Sequence, residues 1–237
     1  MFGRRSALVI LLCLIAISFF GALTLSASMF PKGYDWRYRV ISSLISPRDN
    51  PQHYGIAACG LILTGLFMLP FAQHLNRGLG PVARIGARIA GGAFLIGIVA
   101  LIADCFVVPQ HVHATLGIRR LHEFLARSSA GFLAIGMLSG CWCAWRGAGC
   151  ALPRSLFWIW AVVTGLPLMG VICSQAFLLV SLSDPKLSQP IRHALRHSVF
   201  WHLGFWEWIG AVAIFVYLCA ATFLIPVAEL KSRKAER

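Results

Sequence analysis

Six long apolar runs dominate the sequence, at about residues 7–29, 54–73, 85–107, 121–145, 155–180 and 203–225. Each supplies the roughly 20 consecutive residues that a helix needs to cross the hydrocarbon core of a bilayer. Little is left for anything else. Of 237 residues 58% are hydrophobic and only 12% charged, against about a quarter charged in a soluble domain. The expected fold is all-α, a polytopic membrane helix bundle of six transmembrane helices forming a single integral membrane domain over residues 1–237. The first run follows Gly3-Arg4-Arg5 and closes on Ser26-Ala27-Ser28, in the manner of a cleavable signal peptide. Its apolar length exceeds the roughly 7 to 15 residues of a signal h-region, so an uncleaved first helix is expected.

The net charge of +13 would suggest nucleic acid in a soluble chain. In a membrane protein the cations report topology and lipid contact instead, and no nucleic-acid partner is expected. Arg4, Arg5, Arg77, Arg84, Arg146, Arg154, Lys231, Arg233, Lys234 and Arg237 crowd into short segments on one side. Lys32, Arg37, Arg39, Arg48, Arg119, Arg120, Lys186, Arg192 and Arg196 are spread over much longer loops on the other. Cation density in short loops marks the cytoplasmic side, which puts both termini in the cytoplasm. Six of the eight acids (Asp35, Asp49, Asp104, Glu123, Asp184 and Glu207) and every histidine but His74 then gather on the outer side.

Helical phase shows which of these point into the bundle, because positions 3, 4, 7, 11 or 18 apart share a face. In the third run Gly86, Ala90, Ala93, Gly97 and Asp104 align; in the fourth, His122, Ala126, Ser129, Gly136 and Gly140. Small residues in register let helices approach closely in lipid, so both stripes are expected at helix–helix seams. Asp104 and His122 would then face inward at the outer end. Glu207 shares a face with Gly210, Ala211 and Ala221 in a weaker version of the pattern. Carboxylates facing lipid are costly, so Asp104 and Glu207 should pair or line a wet cavity. Two readings stand: a site of two carboxylates and a histidine, or structural ion pairs with arginines such as Arg127.

The segment 190–202 is amphipathic if helical, with Arg192, His193, Arg196 and His197 opposite Ile191, Leu195 and Val199. It would lie on the outer surface with Arg192 and Arg196 on lipid head groups. His193 and His197, four apart, match the spacing of paired imidazoles on a divalent metal such as zinc, and His122 with Asp104 offers a second pair of donors. A solvated face is the competing reading, and it applies equally to His111 and His113. Trp201, Trp206 and Trp208 fit an interfacial aromatic belt. The eight cysteines lie in or beside apolar runs and read as small buried hydrophobes, with neither a disulfide framework nor, at Cys141 and Cys143, the second pair of a zinc site.

Tyr34-Asp35, the following Ile41-Ser42-Ser43-Leu44, Asn50 and the glycine-spaced helix through Gly55, Gly60 and Gly65 together resemble bacterial membrane proteins of the domain of unknown function 998 family. Ala103-Asp104-Cys105-Phe106, Pro109 and Leu121-His122 are similar to that family's later pattern. The chain departs from it at Ser43, where the family often has Asp, and at Ile45, where it often has Gly. The resemblance implies a six-helix protein of the bacterial cytoplasmic membrane with an outer-face set of Asp35, Ser42, Asp104 and His122. It implies no reaction.

Three functions compete. A lipid- or small-molecule-modifying hydrolase would use His122 as general base, oriented by Asp104 or Glu207 or sharing a metal with them, and Ser42 or Ser43 as a possible nucleophile. A carrier or binding protein would use the same groups to hold an anionic or lipidic ligand. A structural assembly factor would need only the small-residue stripes.

Overall fold

The structure, a computed structural model, describes residues 4–107, 116–183 and 198–226, and the described residues are helical with no strand. Among the described residues six helices are long and apolar enough to cross a membrane. The first span is built from α1 (Arg4–Ala16), a π turn (Ile17–Gly21) and α2 (Ala22–Ser28). A short α3 (Ser42–Ile45) sits in the following loop, and α4 (Tyr54–Leu79), α5 (Arg84–Val107), α6 (Leu116–Gly147), α7 (Arg154–Ser183) and α8 (Leu203–Leu224) supply the other five spans. Each packs on the next, and α8 closes back on α1, which packs on α4. The result is a ring of six helices.

Three local features differ from the sequence reading. First, α4 runs to Leu79 rather than stopping near residue 73. Leu75 and Leu79 carry the buried stripe past the polar residues between them, and His74 turns inward, its Nε2 lying 3.1 Å from the Ala221 carbonyl of α8. Second, the first span contains a π turn, whose one extra residue falls where the span crosses α4. There the Ser18 and Thr64 hydroxyls lie 2.8 Å apart, and a Cβ added at Gly60 would sit 2.5 Å from the Ser18 carbonyl oxygen. Third, only Cys105, Cys141 and Cys143 are buried, whereas Cys13, Cys59 and Cys173 sit on exposed faces of their spans. A span in lipid needs no polar exterior, so apolar sequence does not separate its inner face from its outer one.

The α5–α6 seam follows the small-residue stripes. Gly86, Ala90, Ala93, Gly97 and Asp104 on α5 are buried, as are Ser129, Gly136 and Gly140 on α6. A Cβ at Gly97 would stand 2.9 Å from the Leu133 backbone nitrogen, and one at Gly136 would stand 3.0 Å from that of Phe94. Ser129 Oγ donates to the Gly97 carbonyl at 2.9 Å across the same seam. Toward the other end the core is aromatic. Tyr217 lies between Trp160, stacked at 4.2 Å, and Phe94 at 6.4 Å, and Trp160 Nε1 donates to the Tyr217 carbonyl at 3.0 Å.

The Tyr217 hydroxyl is fully enclosed against Gly140 and has no hydrogen-bond partner among the described residues. An unsatisfied buried hydroxyl costs about 1–3 kcal/mol. Tyr217→Phe is therefore expected to raise stability by ~1 kcal/mol in thermal or chemical unfolding of the detergent-solubilised protein. Gly140→Ala should destabilise the wild type by driving its methyl into that hydroxyl, and should be largely tolerated beside Tyr217→Phe. Additive effects of the two changes would contradict the packing described.

Candidate functional site

Where the spans begin and end, the ring gathers α2, α4, α5, α6 and α8 at the end that carries the long 29–53 loop. Asp104 arrives on the last turn of α5 and His122 near the start of the α6 span. Asp104 Oδ1 and His122 Nδ1 are 2.7 Å apart, with side chains 9% and 19% exposed. This is the length of a charge-assisted hydrogen bond. Holding Nδ1 fixes the ring plane between the two spans. The pairing depends on the glycine and serine seam below it, which sets how close α5 and α6 approach.

Glu207, on the second turn of α8, makes no ion pair with an arginine among the described residues. Its Oε2 accepts the backbone N–H of Ile41 at 2.7 Å. Arg127 pairs instead with Glu123, one helical turn away on the exposed face of α6, at 3.9 Å. The ion-pair reading of Asp104 and Glu207 with Arg127 is thus replaced by a side-chain imidazole for one carboxylate and a main-chain amide for the other.

The 29–53 loop is fastened across this end at three places. Ile41 is held by Glu207. Tyr34 Oη donates to the carbonyls of Arg39 at 3.0 Å and Val40 at 3.3 Å, and accepts from Trp208 Nε1 at 3.1 Å. Asn50, fully buried, donates through Nδ2 to Ser26 Oγ at 2.8 Å and to the Leu44 carbonyl at 3.1 Å. Burial pushes the Tyr34 phenol up to about 12; the Trp208 N–H opposes the shift and the charge of Glu207 adds to it. Asp35 faces the surface. The hydrogen bond from the Arg37 guanidinium, at 2.9 Å, holds its carboxyl below the usual carboxylate range.

Ser42 opens α3, half-buried, and among the described residues no hydrogen bond joins it to His122; Ser43 Oγ donates to the Val40 carbonyl at 2.7 Å. No group of three or more histidine, cysteine or carboxylate side chains stands close enough to hold a metal among the described residues. Asp104 and His122 provide two donors, short of the three protein ligands of a catalytic zinc. Arg192, His193, Arg196 and His197, like His111 and His113, lie outside the described residues. A shallow depression of about 390 Å³ runs along the exposed face of α6, lined by Glu123, Phe124, Arg127 and Ser128 and by neither member of the pair. The sequence reading missed two partners, the Ile41 amide and the Trp208 indole. A main-chain donor carries no sequence signal, and Trp208 reads as one more belt tryptophan.

Two measurements probe this geometry. Asp104→Ala and His122→Ala, singly and together, should give a coupling of about 1.5–3 kcal/mol by double-mutant cycle in chemical unfolding, the range for hydrogen bonds to charged groups; zero coupling would mean that the two side chains do not interact in solution. Tyr34 holds its proton in the fold above its ordinary value of 10.0 and up to about 12, whereas the unfolded chain releases it near 10. Its contribution is complete below pH 10 and is lost as pH rises from 10 to about 12. Unfolding measured across that window should show the decline, and Tyr34→Phe should flatten it.

Compared with protein-family models, with curated proteins and with solved structures, the chain finds no match.

Proposed function

We propose that this multi-pass membrane protein is a hydrolase acting on a lipid or small molecule, with His122 as general base and Asp104 as the group that orients it. The observation that carries the reading is the 2.7 Å contact between Asp104 Oδ1 and His122 Nδ1, held between two spans. The imidazole held by Asp104 takes a proton from water, the hydroxide adds to an ester carbonyl or phosphorus, the bond from that centre to the leaving oxygen breaks, and the protonated ring gives its proton to that oxygen. The Asp104 carboxylate at Nδ1 stabilises the positive charge that the ring gains in that step. Water serves as the nucleophile in this scheme, because Ser42 is not bonded to His122.

The pair faces the outside of the cell in this reading, on the strength of the cations crowded into the short segments at the opposite end. The likeness of Tyr34-Asp35, Asp104 and Leu121-His122 to the domain of unknown function 998 family supports the same arrangement.

Reconstitution of the full chain into vesicles of phosphatidylethanolamine and phosphatidylglycerol, followed by mass spectrometry of the lipids, tests the proposal. Protein-dependent release of a head group or fatty acid is expected, reduced about 100-fold or more by His122→Ala, the scale of general-base catalysis. Intact lipids with wild-type protein, together with a proton or lipid flux that His122→Ala abolishes, would replace the hydrolase with a carrier.

A further inference from the structure

The chain leaves α2 at Ser28 and enters α8 at Leu203, so residues 29–39 and 200–205 lie where apolar span gives way to water. Phe30-Pro31-Lys32-Gly33 forms a turn closed by the Gly33 N–H on the Phe30 carbonyl at 3.0 Å. Pro31 fits the second position of a type II turn, but the third, which requires positive φ and favours glycine or asparagine, is occupied by Lys32 at φ 64°. A lysine is thus kept at a position where glycine would be unstrained. Arg39 is fixed alongside: its N–H donates to the Asp35 carbonyl at 2.9 Å, its carbonyl accepts from Tyr34, and its guanidinium lies 5.0 Å from the centre of the Phe30 ring.

Arg37 is neutralised by Asp35, whereas Lys32 and Arg39 are exposed and have no carboxylate within ion-pair distance among the described residues. Around them stand apolar groups turned outward. Trp36 is 46% exposed although stacked on Phe205 at 5.9 Å, Phe200 is 61% exposed, and Tyr38 meets the His202 ring edge-on at 4.7 Å. Two unpaired cations on a rigid backbone, rimmed by aromatic rings at the limit of the spans, complement a phosphate that carries acyl chains. A second copy of the chain would oppose this patch with the same two positive charges.

We infer that residues 29–39, with Phe200 and Phe205, form a docking surface for the head group of an anionic phospholipid, its phosphate on Lys32 and Arg39 and its chains against Trp36 and Phe200. The surface is independent of the chemistry at His122. Native mass spectrometry of the full detergent-solubilised chain, titrated with phosphatidylglycerol or phosphatidylcholine, provides the test. Preferential retention of phosphatidylglycerol is expected, weakened roughly fivefold by Lys32→Gly and about 30-fold by Lys32→Gly with Arg39→Gln, the effect of one and two cations near an anionic surface. Lys32→Gly should unfold at the same temperature or higher, because glycine accepts the positive φ, so lost binding cannot be ascribed to lost fold. Arg146→Gln, which removes one positive charge at the other end of the bundle, should leave the preference unchanged. The inference is overturned by equal retention of the two lipids, by a preference that survives the double change or falls equally with Arg146→Gln, by displacement of the lipid with inorganic phosphate, or by a dimer that Lys32→Gly dissolves.

Discussion

The close approach of α5 and α6 is the constraint on which the rest of the molecule depends. Lipid gives apolar side chains little reason to leave it, so helices in a bilayer associate through packing and hydrogen bonds rather than through exclusion of water. Gly97 against Leu133, Gly136 against Phe94 and the Ser129 hydroxyl on the Gly97 carbonyl bring the two backbones together. Only at that separation do a short aspartate and a histidine, on neighbouring helices whose ends face the same side, reach 2.7 Å. A wider seam would leave Asp104 buried with no counterpart, an arrangement that the surrounding hydrocarbon would oppose strongly.

Much of this was legible in the sequence, because hydropathy and helical phase are governed by the same geometry that the bilayer imposes. Six runs became six spans, and the stripes through Asp104 and His122 became a seam. Two of the failures have a common cause. The Ile41 amide that holds Glu207 and the π turn in the first span are properties of the backbone, and side-chain identity does not encode either directly. The exposed positions of Cys13, Cys59 and Cys173 were hidden for a different reason: inside and outside are both apolar here, so burial leaves no mark on composition.

The end of the bundle that carries the Asp104–His122 pair is organised differently from its middle. The middle is held by stacked aromatic rings and glycine contacts that need no charge. At the loop-bearing end, polar groups do the fastening. Glu207, Tyr34, Trp208 and Asn50 each bind main chain, or a residue that binds it, in the 29–53 loop. The loop is thereby coupled to α8.

The π turn at Ile17–Gly21 amounts to a single residue inserted into an otherwise regular helix. Below it Leu8, Leu12 and Ile15 face the core; above it Leu23 and Ser26 do so. The insertion sets the rotational offset between the two halves, since each residue of a helix advances about 100°. Deleting one residue from the bulge would restore uniform winding and leave both halves turned toward the core as they are, because the bulge absorbs its extra residue within one turn. Winding all the present residues as a plain α-helix would instead turn one half against the other by nearly a third of a revolution, so the bulge is the joint that lets both halves face the same core.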